Sequence, residues 1–282
     1  IIDCGNGTTC FIAPEIYNLV GIDLIVLYGN SDPSFPNHHP DPCVEDNLKV
    51  LKDAVVELKA DVGIAFDGDG DRVGIIDEKG TYIPCDKYMI AIVRNLLPKS
   101  NNKKVLYDVK CSKALPEEIE RLGGTPIISR TGNSYTKAAT KDYDCVFGGE
   151  FSGHVFFRDK FPGFDSGLYA GLRMIEILSS TDKTMSQLLE GIPKYYSTPE
   201  IKIASPDTKK MKVINKVKDY CISKGYKIID IDGVRVEMDN GWALVRASNT
   251  GPNITARFEG KTEEFMEQLK TEFLTLIDQL NK

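Results

Sequence analysis

The sequence VGIAFDGDGDRVGII at residues 62–76 places an acidic, glycine-rich loop between two short apolar runs. Upstream, residues 45–59 carry leucine and valine at helical spacing, and residues 24–28 form another apolar run. Strand, helix and strand in this order are typical of a βαβ unit, whose parallel strands lie in a buried sheet. We therefore predict an α/β domain over residues 1–80.

The same alternation of helices and strands recurs in residues 82–178, which predicts a second, similar α/β domain over residues 81–194. Farther along, successive strand-like runs separated by glycine turns lie between two long helical segments. Strands in succession with helices at the ends favour an antiparallel sheet. The prediction is two similar α/β domains with mixed sheets, followed by a smaller C-terminal α+β domain with an antiparallel sheet over residues 198–282.

The composition describes a globular chain rather than a binder of nucleic acid or membranes. Of its 282 residues 41% are hydrophobic, and 35 basic against 41 acidic side chains give a net charge of −6. A binder of nucleic acid or anionic membranes would carry a basic excess, and no window approaches the roughly 20 apolar residues of a membrane span. The 7 cysteines form no CxxC pair. Together with a strand-like start that lacks a signal peptide, they predict a reduced, cytoplasmic protein.

The clearest chemical signal comes from Asp67, Asp69 and Asp71, three carboxylates on alternate positions separated by glycine. Glycine lets the backbone curl, so three side chains can direct oxygens at one centre, which suits a hard divalent cation. A simple Asp-Gly hairpin turn explains one or two such residues, but three like charges repel one another without a cation. An EF-hand that also uses Glu78 is the other metal interpretation, and it fails at Arg72, where that motif needs glycine.

A second candidate is the loop of residues 148–154, which carries Glu150, Ser152 and His154 between glycines. Carboxylate, hydroxyl and imidazole groups donate and accept hydrogen bonds, and glycine permits close approach of a ligand. The loop therefore suits a polyhydroxy ligand such as a sugar. A glycine-rich turn with a surface glutamate explains the same residues equally well.

The third candidate is an anion site formed by Arg246 and the residues that follow it. A guanidinium group matches phosphate geometry, and Ser248, Asn249 and Thr250 add side-chain and loop-amide donors. A capped turn between two strands is the alternative, because serine, asparagine and Gly-Pro are also favoured there. Lys110 ends a predicted strand, where open α/β sheets bind ligands, although a solvated lysine is the simpler interpretation.

Seven segments, in this order along the chain, resemble the α-D-phosphohexomutase superfamily and its bacterial phosphomannomutase/phosphoglucomutase branch. They are DCGNG (3–7), FPNHHPDP (35–42), AFDGDGDRVG (65–74), DVKCS (108–112), GGEFSGHVFF (148–157), FPGFDSG (161–167) and VRASNTGPNITARFEG (245–260). Members of the family have three similar α/β domains and a smaller α+β domain, and this chain resembles the second, third and fourth. The first domain of the family carries a phosphorylated serine in a Ser-His-Asn-Pro loop, a tetrapeptide that does not occur in these 282 residues.

The resemblance implies a Mg²⁺-dependent phosphohexomutase, which interconverts hexose 1-phosphates and 6-phosphates through a bisphosphate intermediate. Its substrates would be the phosphates of glucose and mannose. The resemblance also implies roles for the candidate residues: Asp67, Asp69 and Asp71 as magnesium ligands, Arg72 and Lys110 as catalytic cations, Glu150 and Ser152 as ligands of the sugar hydroxyls, and His154, Arg246, Ser248, Asn249 and Thr250 as ligands of the sugar and its non-reacting phosphate.

The chain departs from the family pattern at Asn133, which stands where this branch usually has histidine. The substitution removes a cationic or acid/base group from the expected phosphate site. Because the serine motif of the family does not occur in the 282 residues, we expect the isolated chain to be inactive as a mutase. A sugar-phosphate-binding module without turnover of its own is therefore the alternative function.

Overall fold

The computed structural model of the chain describes residues 1–249 and 251–282. Contacts within the chain divide it into two compact units. The first unit comprises residues 1–108, 118–127 and 132–192, and the second comprises residues 109–117, 128–131 and 193–282. The second unit thus joins the expected C-terminal domain to two short segments that the sequence assigns to the preceding α/β domain.

The first unit begins with a five-stranded mixed sheet. Its strands are β1 (Ile2–Asp3), β2 (Val26–Leu27), β3 (Gly63–Phe66), β4 (Val73–Ile76) and β5 (Tyr82–Ile83). The strand order is β2-β1-β3-β4-β5. Strand β1 is parallel to both β2 and β3, and β4 pairs antiparallel with both β3 and β5. Helices α1 (Ala13–Leu19) and α2 (Lys49–Glu57) accompany this sheet. The apolar residues Leu51 and Val55 of α2 are buried in its core, so the β3–β4 hairpin presents residues 67–72 at one end of a rigid support.

A four-stranded mixed sheet and its helices follow, and these elements belong to the same unit apart from residues 114–117 and 128–129. Its strands are β6 (Lys104–Asp108), β7 (Thr125–Ser129), β8 (Phe147–Gly149) and β9 (Val155–Phe157), and its helices are α3 (Cys85–Leu96), α4 (Ala114–Arg121), α5 (Asn133–Asp142), α6 (Gly167–Ser179) and α7 (Met185–Leu188). The order is β7-β6-β8-β9, with β6 and β8 parallel and β8 and β9 antiparallel. The β8–β9 hairpin presents residues 150–154. Strand β9 is not predicted from the sequence, because its apolar run is only three residues long.

The second unit contains an antiparallel sheet covered by two helices. The strands are β10 (Tyr196–Ser197), β11 (Ile201–Ala204), β12 (Lys227–Ile229), β13 (Val234–Met238), β14 (Gly241–Ala247) and β15 (Asn253–Gly260), and the helices are α8 (Asp207–Ser223) and α9 (Glu263–Asn281). Every strand pair in this sheet is antiparallel. Side chains such as Val217 of α8, Phe273 of α9 and Phe258 of β15 share one buried core. The predicted fold class, two mixed α/β sheets and a C-terminal antiparallel α+β domain, is confirmed.

Two further expectations concern the environment of the chain. All of its cysteines are free thiols, and five of them are buried: Cys4, Cys85, Cys111, Cys145 and Cys221. Within residues 1–249 and 251–282, no helix combines the length and the apolar character needed to cross a bilayer.

Candidate active site

The loop between β3 and β4 brings three carboxylates together. One oxygen from each of Asp67, Asp69 and Asp71 lies within 4.8 Å of the others. The backbone permits this because Gly70 adopts a φ of +80°, and a Cβ at that position would meet the Thr9 side chain at 2.5 Å. The sequence therefore folds three like charges onto one centre, as a metal site requires.

Asp67 and Asp71 differ in how their oxygens are satisfied. Oδ1 of the buried Asp67 accepts hydrogen bonds from the backbone amides of Gly70 and Arg72, each at 3.0 Å. Oδ1 of Asp71 is buried without a hydrogen-bond partner among the described residues, and the nearby Nδ1 of His154 lies 3.5 Å away. A buried carboxylate oxygen without a donor costs free energy unless a cation completes it. The residues present therefore fit a divalent metal, with Asp71 offering an open ligand atom.

The electrostatic environment separates the same two residues. Burial, together with the charges of Asp67 and Asp69, raises the pKa of Asp71 to about 7, although His154 opposes this shift. Burial also disfavours the ionised form of Asp67, but hydrogen bonds from Arg72 outweigh burial and lower the pKa of Asp67. A divalent cation would stabilise the carboxylate of Asp71 and bring its pKa down.

Arg72 is held between two carboxylates. Its Nε donates to Oδ2 of Asp67 at 2.7 Å, and its Nη1 donates to Oδ1 of Asp41 at 3.1 Å. Charge-assisted contacts from two sides orient the planar guanidinium beside the three carboxylates. Asp41 belongs to the FPNHHPDP segment, and no pattern in the sequence marks it as a partner of Arg72, so it is a site residue that sequence reasoning missed.

Glu78, the twelfth position of the EF-hand interpretation, does not face the acidic loop as a ligand would. Its Oε1 accepts a hydrogen bond from Oγ1 of Thr184 at 2.8 Å, and its Oε2 accepts one from the amide of Ser186 at 3.0 Å. Strands rather than helices flank the loop. Both observations exclude an EF-hand.

The β8–β9 hairpin places Glu150, Ser152 and His154 on one loop. Glu150 is buried, and its Oε1 accepts hydrogen bonds from the amide of Gly132 at 2.9 Å and from the hydroxyl of Thr136. The other oxygen of Glu150 accepts from Oγ of Ser152 at 2.8 Å. Glu150 therefore organises the loop from within, whereas Ser152 and His154 are partly exposed.

His154 connects the two loops of the first unit. It forms an isolated β-bridge with Arg72, and its Nδ1 lies 2.8 Å from Oδ2 of Asp165. Burial disfavours protonation, but the hydrogen bond to Asp165 and the charge of Asp71 outweigh burial and raise the pKa of His154. Asn133, the departure from the family pattern, also donates to Asp165. Asp165, which lies in the FPGFDSG segment, is thus a second site residue that no sequence pattern singles out.

The cationic candidates of the second unit are both paired with carboxylates. The Lys110 ammonium lies 3.2 Å from Oε2 of Glu200. Arg246 donates through Nε to Oδ2 of Asp232 at 3.0 Å and through Nη2 to Oδ1 at 3.3 Å. Oδ2 of Asp232 also accepts the amide of Thr131 at 3.0 Å. Glu200 and Asp232 carried no signal in the sequence beyond being acidic.

The loop after Arg246 is tied to its own surroundings. The amide of Ser248 donates to the carbonyl of Asn253 at 2.9 Å, and Nζ of Lys210 donates to the carbonyl of Ser248 at 2.7 Å. Asn249 is exposed, and Thr250 lies outside the described residues. Both the capped-turn and the phosphate interpretations of this loop remain predictions.

Models of one protein family match nearly the whole chain. Residues 1–80 match phosphoglucomutase/phosphomannomutase, alpha/beta/alpha domain II, residues 84–196 match its domain III, and residues 200–276 match its C-terminal domain. The chain belongs to the phosphoglucomutase/phosphomannomutase family.

Named relatives and solved structures agree with this assignment. A phosphomannomutase/phosphoglucomutase of Pseudomonas aeruginosa is 41% identical over 274 residues, which are 97% of this chain and 59% of the relative. A phosphoglucomutase of Neisseria meningitidis is 39% identical over 279 residues, or 98% of this chain and 60% of the relative. The crystal structure of a phosphoglucomutase/phosphomannomutase family protein of Burkholderia thailandensis superposes with a TM-score of 0.91 at 35% identity, covering 99% of this chain and 60% of that one.

The chain therefore spans about three fifths of the length of the curated relatives it matches. Within the family assignment, the first unit brings together the acidic cluster, Arg72 and the Glu150–His154 loop that the sequence singled out. The second unit holds Lys110 and Arg246. What the sequence missed is the set of carboxylates that hold these side chains: Asp41, Asp165, Glu200 and Asp232.

Proposed function

We propose that this chain supplies metal, sugar and phosphate sites to a phosphohexomutase, which interconverts hexose 1-phosphates and 6-phosphates through a bisphosphate. The loop of residues 67–72 carries the proposal, because three carboxylates converge there beside an arginine held in place. The names of the relatives support glucose and mannose phosphates as substrates. We propose residues 1–80, 81–194 and 198–282 as the functional domains, and the ranges of the family models support this division.

Mg²⁺ is the metal we propose for Asp67, Asp69 and Asp71. Carboxylate oxygens are hard ligands, and Mg²⁺ is usually held by a few carboxylates plus water and phosphate oxygens rather than by an all-protein cage. When bound, Mg²⁺ would neutralise negative charge on the phosphoryl group that is transferred. The chain prepares the loop by fixing Asp67 with two backbone amides and by leaving Oδ1 of Asp71 without a hydrogen-bond donor in the part of the chain that the structure describes.

The remaining candidates bind and orient the substrate in this proposal. Arg72, held by Asp41 and Asp67, presents a fixed positive charge to phosphoryl oxygens. Glu150, Ser152 and His154 offer carboxylate, hydroxyl and imidazole groups to the sugar, and Glu150 also holds their loop in shape. The second unit carries its own candidates in this proposal, namely Lys110 as a catalytic cation that binds phosphate, and Arg246, Ser248, Asn249 and Thr250 as phosphate ligands.

Metal binding by the 282-residue chain tests the proposal directly. The substitution D69N removes one of three charges, and we expect Mg²⁺ or Mn²⁺ to bind about 10-fold more weakly, because affinity follows the number of charged ligands. Isothermal titration calorimetry measures this, with D53N as control, since Asp53 is an exposed acid of α2. Equal metal affinity in D69N and wild type would contradict the assignment of the site.

A sugar-phosphate-binding module is the second candidate, because the 282 residues contain no Ser-His-Asn-Pro tetrapeptide to accept the phosphoryl group. A coupled assay with glucose 1-phosphate, mannose 1-phosphate and glucose 1,6-bisphosphate separates the two. Binding of hexose phosphate without turnover by the isolated chain agrees with our expectation. Turnover that tracks the pure chain and disappears in D67A shows instead that another residue accepts the phosphoryl group. We also propose the cytoplasm as its compartment, and the free thiols support a reducing environment.

A further inference from the structure

Two buried arginines of the second unit, Arg235 and Arg257, donate hydrogen bonds to the backbone around Lys110. Nη1 of Arg235 donates to the carbonyls of Val109 and of Cys111, the latter at 3.0 Å. Nη1 of Arg257 donates to the carbonyl of Lys110 itself. The guanidinium of Arg235 stacks 4.0 Å from the centre of the Trp242 ring. Three successive carbonyls are thus held by side chains that do not involve the Lys110 ammonium.

The backbone beside Glu200 is anchored to β15, the strand that carries Arg257. Nε of Arg257 donates to the carbonyl of Thr198 at 3.3 Å, and the amide of Thr198 donates to the carbonyl of Phe258 at 2.9 Å. Ile201, directly after Glu200, pairs with Ala256 of β15. The positions of both Lys110 and Glu200 are therefore set by backbone contacts, so their ion pair is not needed to hold either segment.

The two carboxylate–cation pairs of the second unit differ in how firmly they are built. Asp232 is 8% exposed, and it receives two contacts from Arg246 as well as the amide of Thr131. Glu200 is 26% exposed, and its pair with Lys110, which is 8% exposed, spans 3.2 Å. A nearly buried ammonium needs a neighbouring anion, but a partly solvated carboxylate leaves such a site at lower cost than a buried one.

We propose that Glu200 is an exchangeable counter-ion of Lys110, which an incoming phosphate group displaces. Glu200 then lowers the affinity of the site for every anion, and it filters them by charge, because a dianionic phosphomonoester competes with a carboxylate for an ammonium better than a monoanion does. The proposal rests on the proposed role of Lys110 in phosphate binding. Glu200 acts here as a specificity-determining residue for phosphomonoesters.

The substitution E200Q tests the proposal in the 282-residue chain, with inorganic phosphate and glucose 6-phosphate as probes in isothermal titration calorimetry. Removing the competing charge should tighten phosphate binding by about 5- to 30-fold, as expected for relief of like-charge repulsion at a partly screened site. E200A should do the same, because the cause is charge rather than shape. The matched control is D230N, which removes an acid of the same unit paired with Lys218 at 2.7 Å and should leave phosphate affinity unchanged.

Two outcomes separate this proposal from the proposed function beneath it. K110M should weaken phosphate binding, and K110M/E200Q should show none of the gain of E200Q. If K110M binds phosphate as wild type does, the role of Lys110 is wrong and the proposal on Glu200 falls with it. If K110M weakens binding but E200Q leaves affinity unchanged or weakens it too, Lys110 binds phosphate and Glu200 positions it, which overturns the counter-ion proposal alone.

Discussion

The first unit brings three carboxylates together on one loop, where a buried carboxylate oxygen has no hydrogen-bond donor among the described residues. The second unit instead holds cationic side chains whose charges are already neutralised by carboxylates. In the first, Asp67, Asp69 and Asp71 converge and Oδ1 of Asp71 has no hydrogen-bond partner among the described residues. In the second, Lys110 and Arg246 are each paired with an acid. An added cation completes the first arrangement, but an added anion must compete in the second. Affinity for metal and affinity for phosphate are therefore set by different residues.

The two units also differ in what holds their charged side chains in place. The acidic loop of the first unit depends on local features, namely the hairpin, the left-handed Gly70 and amides within five residues of Asp67. The cations of the second unit depend on contacts between segments far apart in the chain, such as the grip of Arg235 on the carbonyl of Cys111. Substitutions in the core of the second unit should therefore disturb its cationic side chains more than core substitutions in the first unit disturb the acidic loop.

The largest effect is expected for W242A in the second unit. Trp242 is fully buried, its Nε1 donates to Oε1 of Glu259 at 2.7 Å, and its ring packs against Arg235. Truncation of a buried tryptophan costs about 3–5 kcal/mol. We expect thermal unfolding and hydrogen exchange to show loss of protection in the second unit, while Mg²⁺ affinity of the first unit stays within about twofold, since the two sites use different residues.

The control for W242A is M211A, because Met211 is an exposed residue of α8 in the same unit. It should change stability little, as surface substitutions usually do. If W242A lowered both the metal affinity and the hydrogen-exchange protection of the second unit, the acidic loop would depend on the core of the other unit. That result would contradict the independence of the two sites.

The next effect is expected for R246A, measured as the affinity for glucose 6-phosphate. A charge-assisted contact to phosphate is worth roughly 1.5–3 kcal/mol, so binding should weaken by about 10- to 100-fold. R246K should recover only part of the loss, because an ammonium cannot fork across two oxygens. Mg²⁺ affinity should not change, which sharpens the distinction between the two units.

R246A also leaves Asp232 without the guanidinium that it faces, so loss of binding could follow from a disturbed fold. The double variant R246A/D232N removes that buried charge and should restore thermal stability without restoring phosphate affinity. Recovery of affinity together with stability would show that Arg246 is structural and that the loop of residues 248–252 is a capped turn.

The sequence predicted those helices and strands whose own residues carry the pattern of a helix or a strand. Helix α8 (residues 207–223) is one of the two long helical segments expected in the C-terminal domain, and strand β13 (residues 234–238) is one of the successive strand-like runs between them. Strands β10 and β11 were missed, because both are short and each pairs with β15, whose partner residues lie 49 to 64 positions later in the chain. Their strand character comes from that partner rather than from their own alternation.

The candidate site divides in the same way. Three acids on alternate residues can be recognised in the sequence as a cluster, and the structure brings Asp67, Asp69 and Asp71 together. The pairing of Lys110 with Glu200 or of Arg72 with Asp41 joins residues that are far apart in sequence, and no spacing rule connects them. Which carboxylate holds which cation is decided by tertiary packing, so a single sequence does not reveal it.

The smallest effect concerns an acid of the first unit that is not part of the site. Oε2 of Glu118 accepts Nε of Arg121 at 2.8 Å, and its Oε1 accepts Nη2 of Arg121 at 2.7 Å and also Nε of Arg94. Hydrogen bonds from Arg121, which outweigh burial and are reinforced by Arg94, lower the pKa of Glu118 to about 2 from an ordinary 4.5. Glu118 thus shows what a fully compensated carboxylate looks like, in contrast to Asp71.

A lowered pKa in the folded state has a definite consequence for stability. The contribution of ionised Glu118 is complete above pH 4.5, the ordinary value, and is lost as the pH falls toward about 2. Because Arg121 is largely exposed, E118Q should reduce the free energy of unfolding by only about 1 kcal/mol at pH 7. The gap between wild type and E118Q, measured by denaturant unfolding, should narrow from pH 5 to pH 2, whereas E120Q, on the exposed side of α4, should show no such gap. A gap that stays constant over this range would mean that Glu118 contributes by shape alone, and then charge compensation is not what distinguishes it from the acids of the loop of residues 67–72.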